Sequence, residues 1–399
     1  MKYHSLWFLD SELKDDSGHY ANFAEKIIKE AGPQNLKMIV AGNRMVNDSL
    51  AQRLGVRKAF HGMTHSFLPL GKASALFNPL IGSRVHYREL CRSLPADGGD
   101  AIAFAATANH RHFPSLAKWM SRFPAESAPA LLIYLRFHFH DPVSNRALPT
   151  APLVRRGLKL LEYPAQSRTI ILLCDSEQLA EQYRQITSLP IETLPVPHMI
   201  PAEILQNQQE PNGHLICFSY LGEARAEKGY DVLVKAIQLL QRIPEWRDVR
   251  VKVHSYHHRM YRMENWRQNL TGVPGVECIA KPMELYSYYQ MLFASDVILM
   301  PYRRSTYFAR SSGIFVDALA AGKPVVTTQD TWMSEQLKHF GAGTLCRDND
   351  PADLARAMIE AKDSFPKNKQ RAASGKQAWI DAHNTNLFFT SLLRIAEAS

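Results

Sequence analysis

Several features are missing from this sequence, and each absence closes off a class of protein. Five cysteines in 399 residues (Cys91, Cys174, Cys217, Cys278 and Cys346) form no Cys-x-x-Cys pair and leave an odd total. That argues against a disulfide framework or a cysteine zinc site and for the reduced thiols of a cytoplasmic protein. Long uncharged runs are absent too. The first apolar run, Leu6 to Leu9, meets Asp10 too soon for a signal peptide, and no later window is free of charge long enough to cross a bilayer. There is no internal repeat, no low-complexity tract and no Walker order of Gly-x4-Gly-Lys-Ser/Thr.

Acid is scarce relative to base. Lys and Arg number 47 against 38 Asp and Glu, a formal charge of +9 and a pI near 9.2. Such a surface meets something anionic. The excess concentrates between Ala51 and Arg92, where Arg53, Arg57, Lys58, Lys72, Arg84, Arg88 and Arg92 face a single acid, Glu89. Phe60, Phe67, Leu68, Leu70, Leu76, Phe77, Leu80 and Ile81 interleave with them. Mixed basic and apolar residues over 51–92 suit an anionic membrane surface better than a duplex groove, the alternative being a solvated face over an ordinary core. No aromatic-basic RNA motif or recognition-helix pattern accompanies the charge, so nucleic acid is not an expected partner.

What is present reads as globular α/β protein: 46% hydrophobic, 21% charged, and long enough for two domains. Strands are predicted at Tyr3–Leu9, Leu36–Ala41, Ala101–Ala105, Ala130–Arg136 and Thr169–Cys174. Helical patterns alternate with them, at His19–Ala31, Ser115–Arg122, Ala151–Leu161 and Ser176–Gln185. Leu194 to Pro201 carries three prolines and 206–213 is polar, which marks a linker. A second series follows, with strands at His214–Leu221, Val249–His254, Val276–Ala280, Val297–Met300 and Pro324–Thr328. Its helices are predicted at Tyr230–Arg242, Met283–Ala294, Gly313–Ala321, Met333–Phe340 and Pro351–Ala361. The expected domains are 1–195, a linker 196–213, and 214–375, with a helical segment 376–399 returning towards the first domain. Two such halves imply parallel sheets across a cleft, with ligands beyond the carboxyl ends of the strands.

The densest chemistry lies in SSGIFVDALAAGKPVV, Ser311 to Val326. Ser311, Ser312 and Gly313 offer hydroxyls and close backbone approach where a helix begins, and free N–H groups there attract phosphate. Asp317 is the one acid of the following apolar turns. Because helical side chains lean towards the N-terminus, it can face whatever the turn holds, such as a ribose beside a phosphate. GEARAEKG, Gly222 to Gly229, sits between a strand and a helix. Gly222 lets a ligand approach, and Arg225 and Lys228 can reach a diphosphate as a fork and a point charge; the alternative is a solvated turn.

In the first half, LLIYLRFHFHD (Leu131 to Asp141) ends an apolar run with Arg136, His138 and His140. Strand alternation would put the three on one face. No Glu or Cys shares the segment at ligand spacing, so a metal site is disfavoured. Asn109, His110, Arg111 and His112 follow another apolar run and could line an acceptor side, as could Gly18 and His19 in the first loop.

YLGEARAEKGYDVLVKAI, SYYQMLFASDVILMPY and SSGIFVDALAAGKPVV, in that order and spacing, resemble the donor domain of retaining GT-B glycosyltransferases, specifically glycosyltransferase family 4. DSGHYANFAEKI (Asp16 to Ile27) and CDSEQLAEQYRQITSLPIETLPVP (Cys174 to Pro197) extend the resemblance over nearly the whole chain. It implies an α/β GT-B fold of two Rossmann-like domains and a retaining hexosyltransferase that uses a nucleotide-sugar donor and needs no metal or other cofactor. By resemblance Arg225 and Lys228 would hold the donor diphosphate, Gly18, Gly222, Ser311, Ser312 and Gly313 would line the donor, and Asp317 would take the ribose. His140, then His138, would match a family histidine that touches the donor sugar, making His140, Arg225 and Lys228 the catalytic set. His19, Asn109, His110, Arg136 and His138 would serve the acceptor side.

Two departures stand out. Many members place the arginine directly after the glycine, where this chain has Glu223, and they carry Glu-x7-Glu where this chain has Ala309 and Asp317. The missing acid normally contacts the donor sugar, and Arg310 and Tyr307 are nearby replacements. The expected acceptor is a saccharide or lipid-linked saccharide of bacterial envelope or exopolysaccharide synthesis, at the cytoplasmic face of the membrane. A non-catalytic sugar-nucleotide-binding subunit and an epimerase or hydrolase on the same fold are the alternatives.

Overall fold

The computed structural model of the protein describes residues 2–16, 20–62, 74–141, 143–206, 215–256 and 270–398. Gly18 and His19, and much of the basic and apolar stretch between 51 and 92, lie outside the described residues. Contacts divide the chain into two compact units, Met1–Pro195 with Thr385–Ser399, and Val196–Asn384.

The first unit begins with β1 (Ser5–Leu9), α1 (Tyr20–Ala31), β2 (Lys37–Asn43), α2 (Asp48–Leu54) and β3 (Val56–Phe60). It continues through α3 (Ser74–Ser93), β4 (Ala101–Ala108), α4 (Phe113–Met120) and β5 (Ala130–Leu135). A two-stranded antiparallel ribbon, β6 (His140–Asp141) with β7 (Arg146–Ala147), interrupts the alternation. Then come α5 (Ala151–Ala165), β8 (Ile170–Cys174), α6 (Glu177–Arg184) and β9 (Ile191–Thr193). Seven strands form one parallel sheet in the order β3-β2-β1-β4-β5-β8-β9. β5 (ALLIYL) and β8 (IILLC) are buried at every position, the mark of a sheet covered on both faces. The chain winds outward from β1 to β3, then crosses to β4 and winds the other way. Right-handed crossovers therefore put α1 and α2 on one face and α3, α4 and α5 on the other, and α3 packs on α4 and α4 on α5.

The second unit holds α7 (Ala202–Gln206), β10 (Ile216–Tyr220), α8 (Tyr230–Leu240), β11 (Val249–His254), β12 (Val276–Ile279) and α9 (Leu285–Phe293). It is completed by β13 (Val297–Met300), α10 (Arg304–Tyr307), α11 (Gly313–Ala320), β14 (Val325–Thr328), α12 (Trp332–Phe340), β15 (Gly343–Cys346), α13 (Pro351–Asp363) and α14 (Phe365–Ala382). Its six-stranded parallel sheet runs β12-β11-β10-β13-β14-β15. β10 lies between β11 and β13, so the strand order reverses there, as it does at β1 in the first sheet. Ligands of open α/β sheets bind at such switch points.

Sequence periodicity misses the β6–β7 ribbon and three strands of the two large sheets, β3, β9 and β15, all at sheet edges. VRKAF carries two exposed cations and GTLC is only four residues, so neither shows the apolar run of a central strand. The expected linker also differs. Val196 to Ile200 are buried in the second unit, with the His198 amide donating to the His383 carbonyl at 2.7 Å and His383 Nδ1 lying 2.8 Å from the Val196 oxygen. An extended, proline-rich strip cannot pair its own backbone groups, and the end of α14 satisfies them. The expected break at 375/376 falls inside α14.

The last helix, α15 (Thr385–Glu397), belongs to the first unit and packs on α1. Phe388 is its anchor, with ring centroids 5.4 Å from Phe23, 5.7 Å from Tyr134 and 6.2 Å from Phe104. Phe388→Ala should cost about 3–5 kcal/mol, read as a loss of stability in denaturant unfolding; a change under about 0.5 kcal/mol would show that α15 is not docked there.

Candidate functional site

In the second unit, the loops after β10 and β13 flank the switch point. Gly222 ends the first turn at φ +85°, and a Cβ built there would lie 2.6 Å from both Lys228 Nζ and Ile314 Cδ1. The GEARAEKG loop and the first turn of α11 therefore meet across the glycine. Gly229, at φ +66°, closes the loop against Pro301, whose carbonyl oxygen would lie 1.8 Å from any added Cβ. Arg303 braces the loop from below: Nε donates to the Ala226 carbonyl at 3.3 Å and Nη2 pairs with Asp231 at 2.6 Å.

Lys228 is half-buried, its ammonium 5.7 Å from the Tyr302 ring centroid. Burial pulls its pKa down to about 7, with Arg225 and Arg310 adding repulsion. Among the described residues no carboxylate forms an ion pair with it. Arg225 is different: Nε lies 2.8 Å and Nη2 2.7 Å from Glu223 Oε2, and Nη1 lies 3.6 Å from Glu227. The Glu223 departure in sequence thus has a structural consequence, since it takes up the Arg225 fork.

Ser312 caps α11, accepting from the Phe315 amide at 3.4 Å. Nothing lies within 4 Å of a Cβ built on Gly313, so the helix start is open at that residue. Ser311 and Ala309 are buried. Asp317 is the one acid of α11. It is buried, and its oxygens accept from the Met199 amide at 2.8 Å and the Tyr288 hydroxyl at 3.2 Å. Each oxygen already accepts one hydrogen bond, so a ribose hydroxyl would share or replace one of these donors.

Sequence reasoning missed His254, at the end of β11. Its Nε2 lies 3.0 Å from the Lys281 carbonyl oxygen, and burial lowers its pKa beside Lys228. Tyr256, stacked on it, accepts the Ala224 amide at 2.7 Å, which holds the loop from a second side. Tyr302 and Tyr288 were missed too. Their signal was faint: aromatics at the end of an apolar strand and inside an apolar helix read as core.

The first unit also gathers polar residues at the carboxyl ends of its strands. Asp10 follows β1, Thr107 and Asn109 end and follow β4, Arg136 follows β5 and Asp175 follows β8. Arg136 Nε lies 3.4 Å from Asp175 Oδ2. The Asp10 carboxylate accepts from the Glu12 amide at 2.9 Å and the Thr107 hydroxyl at 3.1 Å. Burial raises its pKa to about 7, with the Glu12 charge adding to the rise.

The acceptor-side candidates separate. Asn109 is buried, its Oδ1 accepting the Arg111 amide at 3.1 Å and lying 3.2 Å from His112 Nδ1, so it shapes its own loop. His110 is half-buried and pushed down to about 4 by burial and Arg111. β5 ends at Leu135, so the alternation expected through Arg136, His138 and His140 does not extend that far. His140 opens the β6–β7 ribbon, and its carbonyl accepts from Gln182 at 3.2 Å. Among the described residues no group of three His, Cys, Asp or Glu is placed to hold a metal, and no helix is long and apolar enough to cross a membrane.

Two parallel sheets of this topology define the GT-B fold, shared with solved glycosyltransferases. HepE of Anabaena in complex with UDP-glucose is 14% identical, with 99% of this chain and 100% of that chain covered at a TM-score of 0.63. Sucrose-phosphate synthase of Thermosynechococcus elongatus is 11% identical over 99% and 98% at 0.66, and the E. coli trehalose-6-phosphate protein bound with UDP-2-fluoro glucose 13% over 99% and 99% at 0.70. No curated protein matches by sequence. Residues 202–378 match the family model of glycosyl transferases group 1.

Asp10 carries a checkable pH dependence. With its folded pKa above the unfolded value, its contribution to stability is complete below about pH 4 and is lost as pH rises to about 7. The wild type should lose on the order of 4 kcal/mol relative to Asp10→Asn across that window, measured by paired denaturant titrations. Parallel curves for the two proteins would refute the assignment.

Proposed function

We propose that the protein is a metal-independent, retaining hexosyltransferase that uses a UDP- or GDP-sugar and a hydroxyl of a lipid-linked saccharide, in envelope or exopolysaccharide synthesis at the cytoplasmic face of the membrane. The observation that carries the donor site is the meeting of Lys228 with the Gly222 turn and the open start of α11. A cation without an ion-pair partner among the described residues, beside the start of a helix, is suited to a diphosphate. The sugar-nucleotide complexes of HepE and the E. coli protein favour UDP as the nucleotide.

In the reaction the bond between the sugar C1 and the diphosphate oxygen breaks, and the acceptor hydroxyl attacks C1 from the same face. The departing phosphate oxygen takes the acceptor proton. Lys228, Arg225 and the α11 amides stabilise the charge on that leaving group. Ser311 and Ser312 support the phosphate or sugar, and Asp317 takes the ribose by exchanging its Tyr288 or Met199 partner. In the first unit His140, with His138, Arg136, His110, Asn109 and the loop at Gly18 and His19, would orient the sugar and acceptor. A second reading, a non-catalytic sugar-nucleotide-binding subunit, is favoured by one observation: the place of the usual sugar-contacting acid is held by the buried Ala309.

A thermal-shift screen over UDP, GDP, ADP and dTDP sugars identifies the donor, because binding stabilises the fold by mass action. Assays with and without acceptor then separate transferase, hydrolase and subunit. Lys228→Ala and Arg225→Ala should each remove about 2–4 kcal/mol of transition-state stabilisation; wild-type turnover in both would sink the diphosphate roles.

Lys228 also predicts a proton balance. The free ammonium titrates near pH 7, and a bound diphosphate favours the charged form. Nucleotide diphosphate binding should therefore take up a proton above pH 7, and Kd should weaken by up to about tenfold per pH unit. Calorimetry in buffers of different ionisation enthalpy measures the uptake, and Lys228→Ala should abolish it.

A further inference from the structure

We infer that the helical layer α3–α4–α5 of the first unit is a binding face for an anionic lipid bilayer, with α5 as its anchor. The buried side of α5 is satisfied: Ala151, Val154, Gly157, Leu158, Leu161 and Pro164 face the fold. Its outer side is not an ordinary solvated face. Leu153, Leu160 and Tyr163 are 40%, 44% and 72% exposed. Spaced seven and three residues apart, they form one stripe about 15 Å long. Arg155, Arg156 and Lys159 are exposed along it.

The charge on the layer has one sign. On α3, Arg84, Arg88 and Arg92 are exposed, as is Ile81 at 56%. Lys118 of α4 and Arg122 just beyond it are exposed between the two outer helices. By sequence the three helices hold two acids, and neither opposes these cations. Glu89 is buried, 2.5 Å from His61 and 3.6 Å from Arg44. Glu162 is half-buried and accepts from the Thr187 hydroxyl at 2.7 Å and the Ser188 amide at 3.0 Å. The next helix in the chain, α6, ties its Glu177 and Glu181 to Arg184.

Charge complementarity selects the occupant. A protein partner of ordinary composition would leave eight cations to be matched individually, whereas an anionic lipid surface meets them all and accepts three short apolar side chains at headgroup depth. A tyrosine among leucines and arginines fits that depth, its ring apolar and its hydroxyl wet. Residues 51–92 contribute α3, but the apolar anchor stands on α5, about 70 residues further on, where charge counting along the chain does not look.

The test is co-sedimentation with phosphatidylcholine vesicles, with and without about one-third phosphatidylglycerol, at low salt. Wild type should partition onto the anionic vesicles and scarcely onto the neutral ones. Arg155→Gln/Arg156→Gln/Lys159→Gln should weaken partitioning about a hundredfold, at roughly fivefold per cation. Leu153→Ser/Leu160→Ser/Tyr163→Ser should weaken it further when salt is raised. Unchanged melting temperatures and an unchanged thermal shift with the donor separate this face from the fold and from the nucleotide site. Equal binding to both vesicles, wild-type partitioning of either triple variant, or a wild-type dimer that the serine variant converts to monomer would overturn the proposal.

Discussion

The structure turns on one costly arrangement: the Lys228 ammonium held over a tyrosine ring with no carboxylate paired to it among the described residues. Burying such a charge is unfavourable, and the protein offsets it by letting the group titrate near neutrality. Much of the second unit keeps that arrangement in place. Gly222 leaves room for Nζ, Gly229 lets the loop lie on Pro301, and Arg303 and Tyr256 brace the loop from two sides. A diphosphate would supply the missing negative charge, so the binding energy is stored as unsatisfied electrostatics in the free protein.

Arg225 shows the opposite strategy. Its fork is already satisfied by Glu223, so it can meet a phosphate only by sharing or exchanging a partner. Asp317 is in the same position, committed to Met199 and Tyr288. The site thus mixes one group that waits for charge with two that are preoccupied. Pre-paired groups are held in fixed rotamers at little cost, which favours precision over raw affinity.

The buried strands and the two loops that lead from strand to helix were legible in sequence because their physics is local. β5, β8, β10, β13 and β14 are short apolar runs, and GEARAEKG and SSG sit where strand gives way to helix. Edge strands β3 and β15 were not legible, since half-solvated strands need not be apolar. Alternation through Arg136, His138 and His140 would need a strand that the fold ends at Leu135, because the β6–β7 ribbon is stabilised by pairing that no periodicity reveals. Asp317 was found by its isolation in an apolar helix, yet the same isolation is what a buried, internally bonded acid looks like. Its partner Met199 lies 118 residues away and could only be seen in three dimensions.

The placement of α15 has a temporal meaning. The chain leaves the first unit at Pro195, builds all of the second, and returns only at Thr385 to set Phe388 among Phe23, Phe104 and Tyr134. During synthesis the amino-terminal unit must therefore wait with an uncovered aromatic surface until α15 leaves the ribosome. Domains usually fold in the order they are made. Here the unit begun first is the one completed last.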